Sequence, residues 1–312
     1  MALLITFIHK IIEERMIMKI GLPKALYYYY MGNRWINFFN NLNIEVITYD
    51  TNKEILDKGV SVANDEMCLS LKIFLGHVSK LSTECDYIFI PHINNFGCKD
   101  QMCCNFLSLN DLVKTLFDVK ILSYEINHVE GKNEKMGFYK IGKELGFNKK
   151  QIKQAYKMSI NKEKEIVNNK IIKNTAKLNT NNKKILLVSH SYNMYDNYIS
   201  GEIIKYLEKS NCEIIYCDSF KSKVTSELSK FISRDLYFKY SKENIGAIVL
   251  SNEKIDGIIF LSTFPCGLDS LVNELAMRKI GKPYLNLVID DLDSNTGIET
   301  RLESFIDIIE QN

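Results

Sequence analysis

Three cysteines far apart in the chain, Cys68, Cys104 and Cys266, carry the side chain best suited to holding a soft metal centre, and the pattern around them repeats. Cys104 and Cys266 each follow a β-rich run, residues 87–91 and 257–262, and each precedes a helical pattern. Cys68 directly precedes the helical spacing of Leu71, Phe74, Leu75, Val78 and Leu81. In open parallel α/β sheets ligands gather outside the carboxyl ends of the strands, so residues distant in sequence meet there. The arrangement predicts a three-thiolate site for an iron–sulfur cluster with one metal position left open.

Each cysteine also has a plainer reading. Cys266 falls at a predicted helix N-terminus, where free amides and the helix dipole favour a thiolate and should lower the thiol pKa. Gly267 beside it leaves room for a bulky cofactor. The competing reading is a small buried cysteine in a tight turn. Cys68 alone reads as a core residue, since free cysteine is among the most buried types. Cys103 and Cys104 are adjacent, and a regular backbone does not present both to one metal, so one of them is spare. Cys98 is a candidate fourth ligand, although its spacing to Cys103 and Cys104 matches no compact zinc or ferredoxin pattern. Cys85, Cys212 and Cys217 lie at the ends of predicted strands and read as packing residues.

The loop after residue 188 adds His190, Tyr192, Asn193 and Asp196. These side chains suit a substrate or hydrogen bonds to cluster sulfurs, and Asn193 or Asp196 equally suits a helix cap. The turn from Gly21 to Tyr30 lacks the Gly-x-Gly-x-x-Gly and Walker patterns, so it supports no nucleotide site. Neither a Ser-His-Asp signature nor a His-Glu-x-x-His motif is present, and hydrolase chemistry is unsupported.

The elements that must position these residues follow from periodicity. Strand-like runs at residues 19–21, 44–49, 87–91 and 119–124 alternate with helical patterns, and a second series follows at 184–188, 213–217, 255–261 and 283–289. Such alternation predicts an α/β fold of two Rossmann-like, doubly wound domains with mainly parallel sheets and a crevice between them. The expected divisions are an extension over residues 1–17, a first domain over 18–180 that ends in a lysine-rich helical linker, and a second domain over 181–312. The extension is either an added amphipathic helix or an upstream start before Met18. Its apolar run, residues 2–8, is too short for a membrane span and lacks the features of a signal peptide. With 312 residues and 46% hydrophobic content the chain can bury a sizeable core. A net charge of +2, from 40 basic and 38 acidic residues, is too balanced for a nucleic-acid binder. Eight cysteines without an export signal read as reduced thiols or metal ligands, which places the chain in the cytoplasm.

Taken together, residues 19–27, 52–56, 65–72 with Gly76 and His77, 104–107, 190–196, 264–270 and 300–305 resemble the 2-hydroxyacyl-CoA dehydratase D-component family. More closely they resemble its short stand-alone branch related to dehydratase activase proteins. The resemblance implies a cubane iron–sulfur cluster, 4Fe-4S or double cubane, at Cys68, Cys104 and Cys266. It also implies an ATP-hydrolysing iron–sulfur activator as electron donor, an acyl-CoA or other small-molecule substrate, an anaerobic setting and, as in related proteins, dimerisation. In such dehydratases one low-potential electron generates a ketyl radical from which water leaves. The chain departs from the pattern at Ser70, Asn105 and Leu268, where the family carries proline, and only partly matches an acidic loop at 290–297. The activator's own ATP-binding motifs are missing, so the chain is expected to receive electrons rather than drive them. Two other readings stand beside this one: a non-catalytic cluster-bearing scaffold or regulatory partner, and a structural zinc site in an α/β protein.

Overall fold

The computed structural model describes residues 18–291 and 297–311, so the expectation for residues 1–17 and most of the 290–297 loop lie outside the described residues. In chain order the elements are β1 (Lys19–Gly21), α1 (Tyr28–Asn40), β2 (Glu45–Ile47), α2 (Lys53–Val62), α3 (Leu69–Leu81), β3 (Tyr87–Phe89), β4 (His92–Asn95), α4 (Cys104–Leu107), α5 (Leu109–Leu116), β5 (Ile121–Leu122) and β6 (Glu125–Asn127). There follow α6 (Glu134–Glu144), α7 (Lys149–Lys177), β7 (Lys183–Val188), α8 (Ser191–Met194), α9 (Asn197–Lys209), β8 (Cys212–Tyr216), α10 (Ser222–Leu228), α11 (Lys239–Ser251), β9 (Gly257–Thr263), α12 (Gly267–Met277), β10 (Tyr284–Ile289) and α13 (Ile298–Gln311).

The strands form two four-stranded parallel sheets, ordered β2-β1-β3-β5 and β10-β9-β7-β8. This is the expected Rossmann-like α/β architecture. In each sheet the order reverses beside the first strand, between β1 and β3 and between β7 and β9, and a crevice at the carboxyl ends opens at such a point. β7 and β9 run out at that edge into His190 and Cys266.

One expected strand is broken. The run at 119–124 appears as β5, and a separate β6 pairs in parallel with β4. Pro91 accounts for the division of the partner strand, because it has no N–H to give the ladder. The pairing resumes on either side of it, with Ile90 N donating to Leu122 O at 3.0 Å and His92 N to Tyr124 O at 2.8 Å. β4 of this small second ladder leads into the loop that holds Cys98, Cys103 and Cys104.

α3 is buried on almost every side, from Leu69 through Val78. The buried stretch includes the polar Ser70, Lys72 and His77, each of which needs a partner inside the fold. Its approach to α2 is backbone to backbone: a Cβ on Gly59 would stand 1.9 Å from Lys72 O, and one on Gly76 would stand 1.9 Å from Ile55 O. Lys72, buried within the helix, pairs with Asp291 at 2.5 Å, as a buried charge must. The lysine-rich segment is the 29-residue helix α7, opened by a capping box between Asn148 and Gln151. Near its other end, buried Asn174 accepts from Tyr216 N at 2.9 Å and donates to Tyr216 O at 3.1 Å, which fastens the helix to β8. Among the described residues no helix is long and apolar enough to cross a membrane.

Candidate functional site

Where the carboxyl edges of the two sheets face each other lies a chamber of about 540 Å³, within the range of small-molecule sites. Cys68, Cys103, Cys104 and Cys266 all line it, together with His190, Tyr192 and Gly267. The rest of the wall is largely apolar or aromatic, including Leu26, Leu71, Phe106, Tyr240 and Leu268. Three cysteines separated by up to about two hundred residues are thus brought to one space, and Cys103 joins them. Cys98 is exposed on the preceding turn and is not part of the wall.

Each cysteine is set by a helix start. Cys68 is the extended N-cap of α3, and its carbonyl accepts from Leu71 N at 2.9 Å. The next residue ties the crevice shut at this point, with Leu69 N donating to Phe264 O at 3.0 Å. Cys266 is the N-cap of α12, and its sulfur accepts from Asp269 N at 3.4 Å. Cys104 opens the short α4 and is exposed at the mouth. Beside Cys266, a Cβ added to Gly267 would meet no heavy atom within 4 Å, so the glycine borders open space.

The departures from the resembled pattern have structural uses. Asn105 Nδ2 lies 4.0 Å from Cys68 Sγ and its Oδ1 lies 3.9 Å from Cys104 Sγ, so one amide bridges two of the cysteines. Ser70 Oγ donates to Asn193 Oδ1 at 2.9 Å and lies 3.0 Å from Thr263 Oγ1. Asn193 is fully buried, donates to Ser189 Oγ at 3.1 Å, and stands behind the chamber wall rather than on it. Its part is to join α3 to the second sheet.

His190 is held at both ring nitrogens. Tyr30 OH is 2.9 Å from Nδ1 and Asp269 Oδ1 is 3.0 Å from Nε2. An ionised carboxylate can only accept, so Nε2 is the donor in that contact, while Tyr30 OH and Nδ1 form the second hydrogen bond. The imidazole lies flat on Tyr192, with centroids 4.9 Å apart, and Tyr30 stacks on Tyr240 at 3.7 Å. Burial pushes the phenols of Tyr30 and Tyr192 far up, so both are uncharged hydrogen-bond donors.

Burial also raises the thiols. It lifts Cys68 and, more strongly, Cys266, where the nearby Asp269 carboxylate adds to the effect. Cys103 is pushed up to about 11, again chiefly by burial. The lowered thiol expected for Cys266 at a helix start is therefore not what forms: desolvation and Asp269 outweigh the amide at 3.4 Å. A metal taken up here must displace protons.

Sequence reasoning missed Ser241, Asp269, Tyr30 and Tyr240. Among the described residues Ser241 Oγ and Asp269 Oδ2 are buried without a hydrogen-bond partner, and Ser241 lines the chamber. Unpaired buried polar atoms cost about 1–3 kcal/mol each, and a polar ligand atom in the chamber would relieve Ser241 Oγ. No local signal marks Ser241, whereas Asp269 sits three residues after Cys266 at a helix start, where an acid is common.

Among the described residues no three His, Cys, Asp or Glu side chains are placed to hold a single metal ion. A polynuclear cluster presents its irons at separate corners, so its thiolates stand farther apart than the ligands of one ion. Unpaired thiols share one largely apolar wall with open space beside Gly267, and Cys68, Cys104 and Cys266 are the residues that would hold such a cluster.

No curated protein matches the chain. Among solved structures, a sugar transporter from Clostridium phytofermentans is similar at 9% identity over 95% of this chain and 93% of that chain, with a TM-score of 0.19, too low to carry fold or function across. Residues 19–220, a span that includes Cys68, Cys104, His190 and Tyr192 and stops short of Cys266, match the CoA enzyme activase uncharacterised domain (DUF2229). That span is well over half of the 312 residues, and the chain belongs to this family.

Proposed function

We propose that the protein is an iron–sulfur component of an acyl-CoA dehydratase system, of the 2-hydroxyacyl-CoA dehydratase type, that accepts low-potential electrons from an ATP-hydrolysing activator. In this reading Cys68, Cys104 and Cys266 hold the cluster, while His190, Tyr192 and Gly267 border it or the substrate. The observation that carries the reading is the meeting of distant cysteines on one chamber with otherwise mostly apolar and aromatic walls. Membership of a CoA enzyme activase family supports the link to such a system.

When bound, an iron–sulfur cluster supplies one-electron transfer and a Lewis-acidic iron. The chain's own residues do the rest. Loading takes the protons off the raised thiols of Cys68 and Cys266. Asp269 and Tyr30 fix the orientation of His190, and Ser241 Oγ offers a hydrogen bond to a polar ligand atom. Aromatic walls limit the entry of water.

Anaerobically purified protein should be brown, with iron and sulfide in comparable amounts and a paramagnetic resonance signal after reduction. The triple variant Cys68→Ser, Cys104→Ser, Cys266→Ser should lose all three properties. A triple variant as brown as the parent removes the assignment, and a colourless parent with bound zinc replaces it. Dehydration of a 2-hydroxyacyl-CoA in the presence of activator, ATP and reductant separates an enzyme from a cluster-bearing scaffold.

A further inference from the structure

Beside the chamber opens a second cavity, of about 430 Å³, between the turn at residues 99–100, α10, the 229–236 loop and the start of α11. Its walls are cationic. Lys99, Lys223, Lys230, Arg234, Lys239 and Lys242 line it, against the carboxylates of Asp100 and Glu227. Lys230 pairs with Glu227 at 2.5 Å, Lys242 with Asp100 at 2.5 Å, and Lys239 with Glu243. Among the described residues no ion pair holds Lys99, Lys223 or Arg234.

The placement of two of these cations runs against helix electrostatics. Lys239 and Lys242 stand in the first turns of α11, which has no acidic residue in its first turn, at the positive end of its dipole. Cations are disfavoured there and anions favoured. A concave wall with surplus positive charge raises the local potential further. Hydroxyl-bearing Ser226 and Ser233 line the same space. Lysine, arginine and serine hydroxyls are together groups that hold phosphate. The cavity is of a size for one small molecule and too confined for a nucleic-acid duplex.

We propose that this cavity binds the diphosphate group of a small phosphorylated ligand, with Lys99, Lys223 and Arg234 as the cations that lack a carboxylate in its absence. Lys239 lines both this cavity and the cysteine chamber, so a ligand anchored here would stand next to the chamber mouth. The site depends on no cluster and goes beyond the electron-accepting role.

The test is calorimetric titration of the full-length, anaerobically purified protein with inorganic pyrophosphate and, separately, with ADP, at low and at moderate salt. Saturable binding of at least one probe is expected, weaker as salt rises. The double variant Lys223→Gln, Arg234→Gln should weaken it by about tenfold or more. Both side chains are exposed, so the thermal midpoint of the variant should match that of the parent. If the pair fails to fold, Lys99→Gln, on a separate turn, gives the same readout. Tighter binding of ADP identifies a nucleotide as the source of the diphosphate, and equal binding identifies inorganic diphosphate. Absence of saturable binding with both probes, or binding that the variants leave unchanged, overturns the proposal.

Discussion

Ser70 Oγ donates a 2.9 Å hydrogen bond to Asn193 Oδ1, joining the helix that follows Cys68 to the loop that carries His190. Both residues are buried, and Asn193 spends its amide nitrogen on Ser189. Ser70→Ala would leave Asn193 Oδ1 without a donor. The expected loss is about 1–3 kcal/mol of unfolding free energy, read from denaturant titration. A change below a few tenths of a kcal/mol would mean that the link between α3 and the second sheet is made elsewhere.

The crossing of α2 and α3 gives a sharper structural test. Gly76→Ala places a methyl group 1.9 Å from Ile55 O, and a backbone atom cannot swing aside as a side chain can. Overpacking of this kind costs about 3 kcal/mol. Gly267→Ala meets no atom within 4 Å and should stay within about 0.5 kcal/mol of the parent protein. Its effect should appear as lower iron content, because the methyl group enters the space beside Cys266.

The strands and their parallel order were legible in the sequence because fully buried strands such as β9 read as continuous apolar runs. The three cysteines were legible for a related reason: a strand followed by a helix fixes where the intervening residue emerges. The break at Pro91 was readable as the end of a strand, but not as a ladder that resumes beyond it, since that depends on the partner at 121–127. Ser241 could not be recognised either. Its exposure of 2% and its lack of a partner come from the packing of α11 against the crevice, and no neighbouring residue in the sequence encodes them. The thiol pKa expected for Cys266 failed because sequence reveals a helix start and does not reveal how dry its surroundings are.

His77 predicts a pH dependence of stability. Burial, assisted by the Lys24 charge and opposed by Asp50, pushes its pKa down from 6.5 to about 4. Its Nε2 lies 3.1 Å from Thr51 Oγ1, while Nδ1 is buried without a partner. Between those two pH values the unfolded chain binds a proton that the folded chain does not. Stability present above pH 6.5 is therefore lost as pH falls toward 4, by up to about 3 kcal/mol from this group. In His77→Gln the fall over that interval should be shallower by the same amount. Parallel curves for parent and variant would assign the acid sensitivity to other groups.

The thiols should differ in reactivity in a way that reports on the chamber. Cys98 and Cys104 are exposed, Cys103 is raised to about 11 by burial, and Cys217 is buried and raised further. Since the thiolate is the nucleophile, a pKa near 11 leaves on the order of a hundredfold less reactive species at neutral pH than an ordinary cysteine has. Brief iodoacetamide treatment of the metal-free protein, mapped by mass spectrometry, should label Cys98 and Cys104 first, Cys103 and Cys266 slowly, and Cys217 last. Raising the pH toward 11 should accelerate labelling of Cys103. If Cys266 were instead labelled as fast as Cys98, the helix start would dominate its surroundings after all, and the proton release expected on metal loading would shrink accordingly.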